Sequence, residues 1–354
     1  MVDPYYENFL RQFYDRFPAA LGSSYQKSKE EIMSRCFGTS DFYSRNLQLI
    51  GYEAQDIVIN DKILQKKWAR EHGQSRHLDW ADGVHLPFTK IGFHSHWQED
   101  ILEQQILDYQ PDVLYCQNLY TPGPVFLSNI KKKTSIHIVG QVAFPVSFDK
   151  EFLTPYDLIL SSFPHFVTRF RKLGIKSEYF RIGFEKTVLK KLKRAARQYD
   201  VSFIGAFSKR HDNTSVFAAA TDVWGHGIVP VSKKYHGEAW GIDMYNIIYN
   251  SKITLNRHID TAEDHANNMR LFESTGVGTM LITDYKSDLN KLFVPGKEVE
   301  TYRTKEELIE KVKYYLSHHK EREKIAKAGQ NRTLRDHTYE KRMNELKGIL
   351  KKYL

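Results

Sequence analysis

Short apolar strands that end in small or polar residues recur along this chain and alternate with helical stretches. The strands are predicted at residues 56–60, 113–116, 135–140, 157–161, 200–205, 252–256 and 279–283. Strands that alternate with helices predict parallel sheets with helices on both faces, and such sheets bind ligands at the carboxyl ends of their strands. The sequence therefore predicts an α/β fold of doubly wound, Rossmann-like domains.

The length and one basic stretch predict how the chain is divided. At about 150 residues per domain, 354 residues suggest two domains. Residues 186–197 contain six cations and no acid, which we interpret as a helical joining region. We therefore predict an N-terminal domain at 1–182, a basic interdomain linker helix at 183–199, a second domain at 200–335 and a C-terminal helix at 336–354.

Composition excludes several classes of protein. The two cysteines, Cys36 and Cys116, form no C-x-x-C motif, so a disulfide scaffold or a zinc or iron–sulfur site is unsupported. The stretch His94-Ser95-His96 is half of a metal site without a third ligand, and a loop is the simpler interpretation. No D-x-D is present, and no apolar run or leader indicates a membrane span or secretion. We therefore expect a cytoplasmic protein that holds neither a metal nor a cofactor.

The charge balance favours anionic partners. Fifty-two Lys and Arg against 43 Asp and Glu give a net charge of +9, which attracts nucleic acid, anionic membranes or phosphorylated molecules. The basic stretch at 186–197 either contacts the inner membrane face peripherally or is a solvated linker face. The cations are spread through the chain without an RNA- or DNA-binding motif, so we expect no nucleic acid partner.

The most informative stretch is residues 265–278, which follow a loop and open a helix. A helix start offers unpaired N–H groups and a positive dipole end, both of which suit a pyrophosphate. Asn267 and Asn268 are good N-cap residue types, and His265 is placed to donate to a phosphate oxygen. Glu273, about two turns on, is placed to accept hydrogen bonds from ribose hydroxyls. The alternative is an ordinary capped helix with a solvent-facing Glu.

This stretch and several others resemble the C-terminal domain of the CgeB-like glycosyltransferases, which belong to the GT-B class with a group 1-like C-terminal domain. The similar segments there are 203–211, 245–258, 265–278, 281–284, 292–293, 298–302 and 337–339. Residues 38–54, Asn60 and 68–71 resemble the family's N-terminal domain. The resemblance implies a GT-B fold, in which two Rossmann-like domains face each other across a cleft. It also implies transfer of a sugar from a nucleotide-sugar donor, bound by the second domain, to a glycan, lipid-linked or protein acceptor.

The resemblance assigns a role to each end of the His-x7-Glu pattern. In GT-B enzymes a Glu at the place of Glu273 binds the donor ribose. Retaining relatives often carry Glu-x7-Glu, whereas this chain has His265 at the first position. Several inverting families have a His there that contacts the donor phosphates, so inversion is the favoured stereochemistry.

The expected donor site comprises Gly205, Lys209, Arg210, Asn256, His258, His265, Asn267, Asn268, Glu273 and Gly276. Gly205 would let the backbone approach the phosphates. Lys209 and Arg210 would neutralise the leaving diphosphate without a metal, and the alternative is a solvated basic loop. Asn256 and His258 end a strand at the ligand side of the sheet, unless they only cap a turn.

Inverting transfer also needs a base that takes the proton of the acceptor hydroxyl. Asp41, after Gly38-Thr39-Ser40 at a helix start, is the first candidate, and Asp3 is the second. The alternative is that Ser40 or Asp41 only caps the helix. Gln141, after the strand that ends at Gly140, is a candidate for the sugar pocket.

Two other functions remain open at this point. A nucleotide-sugar epimerase shares the GT-B architecture, and a basic nucleic-acid-binding protein would use the charge without catalysis. The favoured function is a glycosyltransferase of surface-glycan biosynthesis.

Overall fold

The chain divides into two compact units in the structure, a computed structural model that describes residues 1–74, 96–193, 195, 198–210, 220–228 and 233–354. The first unit comprises residues 1–161, 165–178 and 349–354, and the second comprises residues 162–164 and 179–348.

The described residues of the first unit are built around a six-stranded sheet with the strand order β2-β1-β3-β4-β5-β6. Its strands are β1 Val2–Asp3, β2 Ile57–Val58, β3 Val113–Cys116, β4 His137–Val142, β5 Leu158–Ser161 and β6 Ser177–Tyr179. Its helices are α1 Glu7–Arg16, α2 Ala19–Gly22, α3 Tyr25–Ser34, α4 Phe42–Leu49, α5 Lys62–Glu71, α6 Trp97–Tyr109, α7 Pro124–Lys133, α8 Lys150–Leu153 and α9 Pro164–Lys172. Neighbouring strands from β2 through β5 pair in parallel.

The second unit contains a five-stranded parallel sheet with the order β11-β10-β9-β7-β8. Its strands are β7 Tyr199–Phe207, β8 Asp222–Gly227, β9 Ser251–Asn256, β10 Met280–Asp284 and β11 Glu300–Tyr302. Its helices are α10 Gly241–Tyr249, α11 Met269–Gly276, α12 Lys305–Ser317, α13 His319–Asp336 and α14 Tyr339–Tyr353. Leu308, Val312 and Tyr315 of α12 are buried against this sheet.

Both sheets reverse their strand order once, beside their first strand. In the first unit the chain passes from β1 to β2 on one side and then to β3 on the other, and in the second unit β7, β8 and β9 repeat this pattern. Such a switch point opens a crevice at the carboxyl ends of the strands. The predicted α/β architecture of two Rossmann-like domains is confirmed.

Two local expectations differ from the structure. Strand β1 was not expected, because two residues carry no readable period. The stretch predicted as a basic linker helix holds a 3₁₀ helix at Lys186–Lys191, after which Leu192 is extended. Cations four residues apart repel along an α-helix, and this stretch has no acid to offset them.

Among the described residues, no helix has both the length and the apolar character that are needed to cross a bilayer.

Close packing of β7 against β8 leads to a stability prediction. A Cβ on Gly225 would lie 2.1 Å from the carbonyl oxygen of Gly205 and 2.7 Å from the Phe207 ring. We expect Gly225→Ala to lower the melting temperature, because overpacking costs about 1–3 kcal/mol. Gly348→Ala in α14, where no atom lies within 4 Å of the new Cβ, is the control and should be stabilising by up to about 1 kcal/mol. Equal melting temperatures for Gly225→Ala and the wild type would contradict this packing.

Candidate active site

A chain of polar side chains joins the carboxyl ends of β9 and β10 to the start of α11. Asn268 Nδ2 donates to Asn256 Oδ1 at 2.7 Å, and Asn256 Nδ2 donates to Thr283 Oγ1 at 2.9 Å. The Thr283 hydroxyl lies 3.3 Å from Asp284 Oδ1. The structure thus brings the predicted residues Asn256 and Asn268 into direct contact at the edge where parallel sheets bind ligands.

His258 extends this network and is fully buried. Its backbone N–H donates to Asp284 Oδ1 at 3.0 Å, and its Nδ1 lies 2.7 Å from the same oxygen. Its Nε2 is buried, and the described residues offer it no hydrogen-bond partner. Burial works against ionisation of Asp284, but the bonds from His258 and the charge of Lys286 outweigh it and lower the pKa of Asp284. An ionised Asp284 therefore holds the His258 ring in one orientation.

His265 is oriented by a second carboxylate. Its Nδ1 lies 2.8 Å from Asp288 Oδ2, and the Ala266 N–H donates to Asp288 Oδ1 at 2.8 Å. Asp288 therefore fixes both the ring and the backbone that leads into α11.

The N-terminus of α11 has no side-chain cap. Asn268 occupies the N-cap position, but its side chain bonds to Asn256 rather than to the helix N–H groups. Its Oδ1 is buried without a partner among the described residues. Asn267 is buried and donates to Ser162 Oγ, also of the second unit, at 3.1 Å. The expectation of an ordinary capped helix is therefore wrong, because the Asn268 side chain makes no cap hydrogen bond to α11.

Glu273 is buried, with 4% of its surface exposed, and not solvent-facing. Its Oε2 pairs with Arg270 at 2.7 Å, and the Tyr245 hydroxyl lies 3.5 Å from its Oε1. Burial raises the pKa of Glu273, while Arg270 and Tyr245 oppose that rise. Arg270 also donates to the Ile204 carbonyl of β7 at 3.2 Å. This arginine therefore links Glu273 to the strand beside the switch point.

Arg270, Asp284 and Asp288 are site residues that were not predicted from the sequence. Asp284 had a usable signal, since it follows the apolar strand that leads to Thr283. Arg270 also had one, because it lies three residues before Glu273 on the predicted helix, a spacing at which side chains meet. Asp288 had none, because the fold brings its partner His265 to it.

Two of the predicted glycines have reasons in packing. Gly205 lies inside β7, which continues to Phe207, and a Cβ there would lie 2.9 Å from the Phe203 ring. Gly276 ends α11 on the side away from Asn268, and a Cβ there would lie 2.4 Å from the Phe184 ring. Both glycines therefore serve close packing in the structure.

Lys209 and Arg210 lie in the exposed turn that follows β7. The Arg210 backbone carbonyl accepts from the Asp260 N–H at 3.0 Å, and the two side chains are 3.7 Å apart. The turn is therefore tied to the loop after β9, and both cations stay open to solvent.

In the first unit, Asp41 precedes α4 without capping it through its side chain. Its carboxylate pairs with Arg45, one turn on, and Ser40 donates its hydroxyl to the Met33 carbonyl at 2.7 Å. The capping alternative for these two residues is therefore wrong. Gln141, near the end of β4, accepts hydrogen bonds from Tyr43 at 3.0 Å and Tyr115 at 2.7 Å.

Within the described part of the chain, no three His, Cys, Asp or Glu side chains lie together in a way that could hold a metal ion. His94 and Ser95 of the half-site lie outside the described residues.

The second unit is similar to a known protein family. Residues 181–348 match the protein family described as glycosyl transferase-like. No curated protein matches the chain.

Solved structures share the architecture at low identity. The Anabaena protein HepE, solved in complex with UDP-glucose, is 10% identical with a TM-score of 0.56, over 72% of this chain and 82% of its own. Sucrose-phosphate synthase from Thermosynechococcus elongatus is 10% identical with a TM-score of 0.53, over 76% and 82%. A glycosyltransferase from Rickettsia africae is 12% identical with a TM-score of 0.50, over 84% and 94%. These likenesses show that the chain shares the fold of these proteins, and the family match shows that the second unit is similar to glycosyl transferases.

The Glu273–Arg270 pair can be tested by its effect on stability. Glu273→Ala leaves a guanidinium that is 13% exposed without its anion. Breaking a buried pair costs about 3–5 kcal/mol, and the bond to Ile204 places the expected loss at the lower end. Arg335→Ala, which removes an exposed pair with Asp336, is the control and should leave the stability nearly unchanged. Equal losses in denaturant unfolding would show that Glu273 is not held as described.

Proposed function

We propose that this protein is a CgeB-like glycosyltransferase that moves a sugar from a nucleoside-diphosphate sugar to an acceptor of a surface glycan or glycoconjugate. The second unit binds the donor, and the first unit binds a glycan, lipid-linked or protein acceptor.

One observation carries this proposal: an uncapped helix start and oriented polar groups meet at the switch point of the second sheet. The first N–H groups of α11 and the dipole of the helix attract a diphosphate. The side chain of Asn268 makes no cap hydrogen bond to the helix, so it does not compete with an anion for the first N–H groups. Asp288 holds His265 directly before this helix, which supports a contact from its ring to a donor phosphate.

Glu273 retains one oxygen for a ribose hydroxyl. Arg270 engages Oε2, whereas the 3.5 Å contact of Oε1 with Tyr245 is at the limit of a hydrogen bond. A carboxylate oxygen has two lone pairs, so Oε1 can accept from a ribose hydroxyl. The pair with Arg270 favours the charged carboxylate and holds it stationary for that contact.

The comparisons support the choice of donor class. The family match covers the unit that carries the candidate site. HepE was solved with UDP-glucose and with UDP and glucose, which makes UDP and UDP-glucose the first ligands to test here.

Mechanism and location complete the proposal. Lys209 and Arg210 neutralise the leaving diphosphate from the turn after β7, so that no divalent metal is required. His265 in place of a first Glu favours inversion. We also propose a cytoplasmic protein that takes no nucleic acid and whose basic 186–197 stretch contacts the inner membrane face. Vesicles with and without phosphatidylserine would test that contact.

Calorimetric titration with UDP, GDP and dTDP tests the donor assignment. We expect one nucleotide to bind, and Glu273→Gln to weaken it by about tenfold to a hundredfold, because a charge-assisted hydrogen bond is worth about 1.5–3 kcal/mol. Arg335→Ala is again the control and should bind as the wild type does. The donor assignment fails if no nucleoside diphosphate binds, and the role of Glu273 fails if the Gln variant binds equally.

Sugar transfer should continue after divalent metals are removed. The cationic turn supplies the charge that a metal would otherwise supply at the diphosphate. Release of nucleoside diphosphate is measured before and after dialysis against EDTA, and again after Mg²⁺ or Mn²⁺ is restored. Unchanged rates are expected, and strict dependence on either metal would refute metal-independent transfer.

A further inference from the structure

Three polar residues stand in one row at the carboxyl edge of the first sheet. Val2 of β1, Cys116 of β3 and Gly140 of β4 are paired in register. One residue further along each strand come Asp3, Gln117 and Gln141, and the Gln117 N–H continues the ladder by donating to the Val2 carbonyl at 2.9 Å. Register partners in parallel strands face the same side, and neighbouring strands lie about 4.8 Å apart. The row therefore places one carboxylate and two amides on one face of the sheet.

Hydroxyl groups from α4, from the residues before it and from β3 set the orientation of both amides. Thr39 donates its hydroxyl to Gln117 Oε1, and Tyr43 and Tyr115 both donate to Gln141 Oε1. The oxygen end of each amide is thereby occupied. No described residue accepts a hydrogen bond from either NH₂ group, so both amides retain donors for a ligand.

Asp3 is the member of the row that has no partner. Among the described residues, no hydrogen bond or ion pair holds its carboxylate. This distinguishes it from Asp41, whose carboxylate is paired with Arg45. An unpaired carboxylate at a half-buried position destabilises the fold. A destabilising group that no structural role explains indicates a chemical function.

We infer that Asp3, Gln117 and Gln141 form the acceptor site of the proposed glycosyltransferase, with Asp3 rather than Asp41 as the base. This inference rests on the proposed function. The acceptor is an alcohol, such as a sugar hydroxyl, whose oxygen accepts a hydrogen bond from the amide NH₂ groups while its own hydrogen points to Asp3.

In the transfer step the hydroxyl proton moves to a carboxylate oxygen of Asp3. The electron pair of the acceptor oxygen forms the new bond to the anomeric carbon of the donor sugar. The bond from that carbon to the diphosphate oxygen breaks, and its electron pair leaves with the nucleoside diphosphate. The product is an inverted glycoside, and the proton on Asp3 then passes to water.

The surroundings of Asp3 suit a base. Burial, and after it the nearby Asp56 carboxyl, raise the pKa of Asp3 to about 7, close to the pH at which a general base works best. The other titratable groups that face it are the Met1 amine, Tyr5 and Tyr6. Burial also raises the pKa of Asp56, whose Oδ2 accepts a hydrogen bond from the Ser44 hydroxyl.

The decisive experiment compares Asp3→Asn, Asp41→Asn and the control Asp112→Asn. Asp112 is an exposed residue before β3, at the opposite edge of the same sheet. The probes are UDP-glucose, UDP-N-acetylglucosamine, GDP-mannose and dTDP-glucose, with p-nitrophenyl glycosides and water as acceptors. We expect Asp3→Asn to lower kcat by about a hundredfold or more, with UDP affinity within twofold of wild type and Asp112→Asn unchanged. Gln117→Ala should instead raise the acceptor KM by about tenfold.

Thermal unfolding gives a second measurement that needs no acceptor. An acid whose pKa is higher in the folded chain than in the unfolded chain loses its stabilising effect as pH rises through the folded value. Asp3→Asn should therefore melt at a higher temperature than wild type, by a margin that widens between about pH 4 and pH 7. A carboxylate that stabilises the fold through its charge would instead lower the melting temperature when replaced.

Each outcome separates this inference from the function on which it rests. Three outcomes would overturn the acceptor site and leave the donor site standing. They are donor turnover by Asp3→Asn at the wild-type rate, a larger loss of kcat in Asp41→Asn than in Asp3→Asn, and a lower melting temperature for Asp3→Asn than for the wild type. If the wild type neither binds a nucleoside diphosphate nor consumes any of the four donors, the proposed function and this inference both fall.

Discussion

The reversal of strand order beside the first strand of each sheet is the constraint on which both candidate sites depend. Parallel pairing brings all carboxyl ends to one edge, and the reversal between β1 and β3, and again between β7 and β9, keeps the following loops from covering that edge. Residues far apart in sequence then become neighbours. Asn268 reaches Asn256 in one sheet, and Asp3 stands in register with Gln117 in the other. The same topology, repeated in two units, therefore produces one edge rich in helix N–H groups and one edge that carries a carboxylate and two amides.

Compensation of buried charge distinguishes the two edges. In the second unit each acidic group of the site has a cation or a hydrogen-bond donor: Asp284 has His258, Asp288 has His265, and Glu273 has Arg270. Such pairing adds little net stability, because desolvation offsets much of the attraction. Its effect is geometric, since each side chain is held in one orientation before a ligand arrives. Preorganisation of this kind reduces the entropy lost on binding.

The architecture could be read from the sequence, whereas most partners of the site residues could not. Strand periods and their polar ends predicted the α/β fold, and N-cap residue types marked the start of α11 within one or two residues. The sequence could not show that Asn268 donates to Asn256, because only the fold brings Asn256 close, nor that its Oδ1 accepts no N–H of the helix. It also could not show that Glu273 is buried. A position two turns into a helix is compatible with solvent, and the burial depends on Arg270, Tyr245 and the edge of β7. Strand β1 was hidden for a different reason: two residues are too few to show a period.

The proposed role of Asp3 as a base explains why the first unit retains this carboxyl although its burial lowers the stability of the fold. Its carboxyl could have been neutralised by a single nearby cation, as Asp41 is by Arg45. A cation at hydrogen-bond distance would lower the pKa of Asp3 and weaken it as a base, because proton affinity falls together with pKa. Burial beside Asp56 has the opposite effect and raises the pKa of the Asp3 carboxyl to about 7. The free energy that the fold loses by ionising Asp3 is the same free energy that makes the carboxylate take up a proton. A carboxylate at the end of β1 that lacks a hydrogen bond or salt bridge among the described residues therefore destabilises the fold but favours proton transfer, and the register of β1 with β3 places it beside donors that can hold an alcohol.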